Sequence, residues 1–78
     1  MDKKQIENFV EVMEALSSAN YKLAEAGALM HVHKNTLAYR MDKFRELLHL
    51  DPIGNEEDRY FCNVLVYYFK MKDGKREP

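Results

Sequence analysis

Seventy-eight residues, 46% of them apolar and 32% charged, describe one small folded domain and exclude a disordered chain. No apolar run approaches the ~20 residues of a membrane span, and the charged start MDKKQIENF lacks a signal-peptide core. A net charge of −1 does not advertise a nucleic-acid partner, and the single cysteine, Cys62, excludes an internal disulfide and suits the cytoplasm.

The charge is unevenly spread. Residues 1–30 sum to −2, residues 31–50 to +2 with His31, His33 and His49 in addition, and residues 51–78 to −1. The positive potential therefore sits in the middle third, where a phosphate-facing surface would need it.

Residues Lys3–Ser17 predict a first helix, with Asp2 as its cap. Ile6, Phe9, Val10, Met13 and Leu16 form an apolar stripe, and Glu7, Glu11 and Glu14 point away from it. Ser17, Ser18 and Asn20 break the pattern, because their side chains compete for backbone hydrogen bonds. A short second helix follows within Tyr21–Met30. There Gly27 stands among Ala24, Ala26 and Ala28. Small residues let another helix approach closely, and glycine costs about 1 kcal/mol against alanine inside a helix, so Gly27 predicts a tight contact, with a fraying helix end as the alternative.

His31-Val32-His33 makes a turn, with Val32 plugging the angle between helices. The next helix spans Lys34–Leu48, and its apolar face is Leu37, Met41, Phe44 and Leu48. Either His33 or Asn35 supplies its N-cap, and asparagine is the better capper by side chain. Asn35, Tyr39, Asp42 and Glu46 lie on the far side, with Ala38 and Lys43 at the shoulders. Lys34, Arg40, Lys43 and Arg45 make the segment locally basic. Pro52 ends this helix by pushing the preceding residue away from helical angles.

After the turn Ile53-Gly54-Asn55, an Asn55 cap followed by Glu56, Glu57 and Asp58 opens a last helix that runs to about Met71. Residues 72–78 read as a polar, disordered tail, leaving 1–71 as the domain. On the last helix, Phe61, Val64, Leu65 and Tyr68 are assigned to the core. Tyr60, Tyr67 and Met71 lie to one side of that face, and Cys62, Val66 and Phe69 to the other. Only Arg59, Asn63 and Lys70 form a polar stripe. So much apolar surface predicts a second buried face, through which a homodimer would form, the alternative being that it packs on a sensor domain absent from this chain. No alternation of period two is long enough for a strand pair. The expected fold is all-α, four helices containing a helix-turn-helix.

The stretch VHKNTLAYRM resembles the signature hydrophobic–His–Arg–Asn–Thr–Leu–x–Tyr–Arg–hydrophobic of the C-terminal DNA-binding domain of PucR-type regulators. Val32, His33, Asn35, Thr36, Leu37, Tyr39, Arg40 and Met41 match in register, and HLDPIGNEEDRYFCNVLVYYF resembles the family's continuation into a last helix. The resemblance covers about Val10 to Met71. Lys34 stands where arginine is usual, Gly27 where alanine is, Met30 where leucine is, and His49 where a glycine ends the recognition helix. The resemblance implies duplex DNA as partner, a role in transcription regulation, and a sensor region elsewhere in such regulators.

The residues expected at DNA are Lys34, Asn35, Thr36, Ala38, Tyr39, Arg40 and Lys43. Helix N-termini offer free N–H groups to phosphate, and asparagine can pair with adenine through two hydrogen bonds. Simple capping competes for Lys34, Asn35 and Thr36, packing across the turn for Tyr39, and an ion pair to a neighbouring helix for Arg40. The three histidines and Cys62 fit no standard zinc spacing, and no nucleophile motif or phosphate loop is present, so neither cofactor nor enzyme activity is expected. The rival reading is a small helical interaction module that does not bind DNA.

Overall fold

A computed structural model of the chain describes residues 1–74. These form four helices: α1 over Lys3–Ser18, α2 over Leu23–Met30, α3 over Lys34–Leu48 and α4 over Glu56–Gly74. Among the described residues there is no strand. The all-α expectation holds. The tail expected over 72–78 overlaps α4 as far as Gly74, and residues 75–78 lie outside the described residues. No helix among those described is long and apolar enough to cross a membrane.

Local chemistry explains each boundary. Asp2 caps α1 by accepting from the Gln5 N–H, and the Gln5 side chain accepts from the Asp2 N–H in return, a reciprocal capping box. At the other end the Tyr21 N–H bonds the Leu16 carbonyl at 2.7 Å and the Asn20 N–H bonds that of Ser17. That pair of bonds is a Schellman closure, with Asn20 at φ 55 in the left-handed position that asparagine tolerates. The same closure ends α2, where the Val32 N–H bonds Gly27 and the His31 N–H bonds Ala28. His31 takes the left-handed angle there, at φ 62.

α3 ends on His49, also left-handed at φ 58 and ψ 36. This is the conformation glycine adopts without a Cβ penalty, so a histidine there carries about 1–2 kcal/mol of local strain. Beyond it, Asp51 organises the turn. Its Oδ1 accepts from the Gly54 and Ile53 N–H groups, and its own N–H donates to Asp58. Asn55 caps α4 as expected, accepting from the Asp58 N–H at 2.9 Å.

α1 is the central element: α2 and α4 pack on it, and α3 packs on α2. Its Phe9 ring also meets Phe44 of α3 edge-on at 5.4 Å and Phe69 of α4 at 6.2 Å. Because α1 is contacted from three directions, its buried set is Phe9, Val12, Met13 and Leu16, with Val12 inside and the expected Val10 and Ile6 only half-buried. Leu37, Met41 and Phe44 complete the core from α3, as their spacing predicts.

The rotation of α4 differs from the expectation. Cys62 and Val66 are the buried residues, with Phe69 and Leu65 packed beside them, whereas Phe61, Val64 and Tyr68 are exposed. The polar stripe supplies the reason. Arg59 donates to the carbonyls of Pro52 and Ile53 and stacks 4.1 Å over the Tyr21 ring. Asn63 donates to the Tyr21 hydroxyl at 2.9 Å, and Lys70 pairs with Glu14 of α1. Arg59 and Asn63 are half-buried against the rest of the chain and Lys70, still exposed, reaches Glu14, and this turns the Cys62–Val66–Phe69 edge onto α1. Burial pushes the Cys62 thiol up to about 11, with the charges of Asp58 and Asp51 adding to the effect. It stays protonated at neutral pH and acts as a small core residue.

Candidate nucleic-acid interface

The turn between α2 and α3 is three residues long, His31–His33, and two contacts hold it. The first is the Val32–Gly27 backbone bond of 2.9 Å. The second is steric: a Cβ on Gly27 would lie 2.7 Å from the Val32 carbonyl oxygen, so only glycine allows the turn this close to α2. The close approach expected at Gly27 is therefore present, and its partner is the backbone of the turn.

His33, not Asn35, caps α3. The imidazole Nδ1 accepts the Asn35 N–H at 3.0 Å, which requires the proton on the other ring nitrogen. A residue better suited to capping by general preference is thus left with its side chain free. Among the described residues no side-chain hydrogen bond engages the Asn35 amide.

With Leu37, Met41 and Phe44 buried, the outward face of α3 follows from helical geometry. Lys34, Asn35, Thr36, Tyr39, Asp42, Lys43 and Glu46 are all exposed, Tyr39 by 62%. The Lys43 ammonium sits 5.3 Å from the centre of the Tyr39 ring, so a cation and a phenol share one spot. Ala38 and Arg40 are half-buried at opposite edges of this face. No carboxylate of the described residues pairs with Arg40, so the ion pair that competed for it is not formed.

The face is graded along its length. Its first half carries an amide, a hydroxyl, a phenol and cations. Its second half carries Lys43 between Asp42 and Glu46, and Arg45 there is paired with Asp42 and lies 3.8 Å from Asp51. The carboxylates and the neutralised arginine thus sit away from the N-terminal end. Lys34 adds its charge at the end where the free N–H groups of the first turn already favour an anion.

Tyr39, Arg40 and Lys43 also border a shallow pocket of about 220 Å³ with Gln5 and Asn8 of α1, floored by Phe44 and Leu47. Gln5 and Asn8 did not stand out in the sequence. Their three-residue spacing beside the Phe9 position was the available signal, and which side of α1 would meet α3 could not be read from α1 alone. Among the described residues no group of three or more His, Cys, Asp or Glu side chains is arranged to hold a metal ion.

Comparison with curated proteins and with solved structures found no match. Comparison with protein families found one that spans α2, the turn, α3 and the start of α4: the model of the PucR C-terminal helix-turn-helix domain matches residues 9–60. A helix-turn-helix family points to DNA binding in a transcription regulator. Two-thirds of the sequence, including every residue from Phe9 through the outward face of α3, lies within that match, and the chain belongs to the PucR C-terminal helix-turn-helix domain family.

Proposed function

We propose that this chain binds duplex DNA in a sequence-dependent way, with the N-terminal half of α3 in the major groove. The observation that carries the reading is the exposed head of α3, where Lys34, Asn35, Thr36 and Tyr39 project from a turn fixed by Gly27 and capped by His33. On this reading Lys34, Arg40 and Lys43 meet phosphates and set the register. Asn35, Thr36 and Tyr39 meet base edges, and the small Ala38 lets the helix come close or touches a thymine methyl. The protein acts as a transcription regulator's DNA-binding domain in the cytoplasm. The net charge of −1 and the apolar outer face of α4 favour a second reading, an interaction module without DNA.

A panel of duplexes separates positioning from specificity. Lys34→Ala should weaken binding to every sequence by a similar factor, since a phosphate contact carries no sequence information. Asn35→Ala should remove discrimination at one base pair, by about 1–3 kcal/mol for a two-bond adenine contact. Both variants should keep the wild-type melting temperature, because the cap of α3 is His33. An Asn35→Ala protein that melts early but retains its full sequence preference contradicts the assignment.

A further inference from the structure

Six large apolar residues of α4 point into solvent: Tyr60, Phe61, Val64, Tyr67, Tyr68 and Met71, from 44% exposed at Val64 to 74% at Tyr60. Their spacing puts them on one continuous stripe opposite the Cys62–Val66 edge that packs on α1. An aromatic side chain carries about 150–250 Å², so the stripe exposes roughly 700 Å². The largest apolar patch on a typical monomer is about 300–600 Å².

We propose that this stripe is the interface with a second copy of the same chain, paired antiparallel about a two-fold axis at Val64. Three features of α4 select that occupant. The first is register. An axis through Val64 sets Tyr60 against the partner's Tyr68, and Phe61 against the partner's Tyr67, with the smallest side chain of the stripe at the crossing, where the helices come closest. The second is charge. Glu57 is exposed at the start of α4 and Lys72 at its far end, on the same flank of the stripe, so the same axis brings Glu57 beside the partner's Lys72. A parallel pair would oppose like charges at both ends, and it would align the helix dipoles unfavourably. The third is area. Two stripes together remove on the order of 1,200–1,400 Å² from water, within the size class of stable interfaces. A two-fold contact needs one self-complementary patch, and this stripe is one. The pairing does not rest on DNA binding, and it is built from α4, a different helix from the one that carries the candidate DNA face.

Sedimentation equilibrium of the full chain without DNA, with circular dichroism of the same samples, tests the pairing. The wild type should be dimeric in the micromolar range. Val64→Glu should raise the dimer dissociation constant on the order of 100-fold or more with helicity unchanged, because two carboxylates would meet unpaired at the axis. Glu57→Lys should weaken the dimer, and adding Lys72→Glu should restore it, since the swap rebuilds the ion pair between the two copies. A wild type that stays monomeric at high micromolar concentration overturns the proposal and assigns the stripe to a different partner. A dimer untouched by Val64→Glu overturns it as well. A dimer that Val64→Glu weakens, but in which Lys72→Glu fails to rescue Glu57→Lys, overturns the antiparallel register.

Discussion

Phe9→Ala should lower the stability of this domain by about 3–5 kcal/mol, the cost of removing a fully buried aromatic ring. Phe9 is 1% exposed and is the ring where α1, α3 and α4 meet, edge-on to both Phe44 and Phe69. A chain of this length has a total stability of roughly 4–12 kcal/mol, so the substitution removes a large share of it. For domains this small each kcal/mol moves the midpoint by about 4–8 °C, which predicts a fall of about 12–40 °C in thermal unfolding. Phe9→Leu, which keeps most of the volume, should lose less than half as much. The consequence for α3 is direct, because Phe44 loses the ring that fixes its inner face. A fall of under 5 °C for Phe9→Ala would mean that α1 does not hold the other helices as described.

Substitution of Gly27 sets two general effects against each other, and geometry decides the sign. Helix propensity alone makes Gly27→Ala stabilising by about 1 kcal/mol. The new Cβ would, however, stand 2.7 Å from the Val32 carbonyl oxygen, a backbone atom that no side-chain rotation can move aside. Overpacking of this kind costs about 1–3 kcal/mol, so Gly27→Ala should be destabilising on balance. Gly27→Val adds two methyl groups at the same place and a β-branched penalty, and should lose about 3 kcal/mol or more. Any relief comes by moving the turn, which shifts α3 relative to α2. DNA affinity should therefore fall even at temperatures where both variants are fully folded. Denaturant unfolding gives the sign: a Gly27→Ala domain more stable than the wild type contradicts the close approach.

The position of Gly27 illustrates what the sequence made legible. A glycine among alanines had to be justified by contact, and the contact is there. Boundaries carried by a single side chain were also readable. Asp2 and Asn55 cap as expected, and the spacing of Leu37, Met41 and Phe44 put the inner face of α3 where it lies. The rotation of α4 was not readable, because a helix with apolar residues on most of its circumference has no unique inner face. Its orientation is chosen by partners remote in sequence. Tyr21, 42 positions before Asn63, receives the Asn63 amide, and Glu14, 56 positions before Lys70, receives its ammonium. The choice between His33 and Asn35 as the cap of α3 was not readable for a related reason. General preference ranks asparagine above histidine, whereas the imidazole of His33 happens to reach the Asn35 N–H from the turn.

The candidate interface was legible to a similar extent. Six of the seven residues expected at DNA are on the outward face of α3 or at its edge with no competing ion pair. The seventh, Ala38, lies half-buried at the opposite edge. What the sequence could not supply is the groove wall from α1, Gln5 and Asn8, since that depends on how two helices cross.

The central claim is that the head of α3 meets phosphates, and the salt dependence of duplex binding tests it most directly. Neutralising three phosphates by Lys34, Arg40 and Lys43 predicts a slope of about −2.7 for log K against log salt per chain. Affinity should then drop about 40-fold per chain between 50 and 200 mM salt, and Lys43→Ala should reduce the steepness by about one. A flat response, or no binding to any duplex at low salt, would contradict the account and leave the interaction module as the reading.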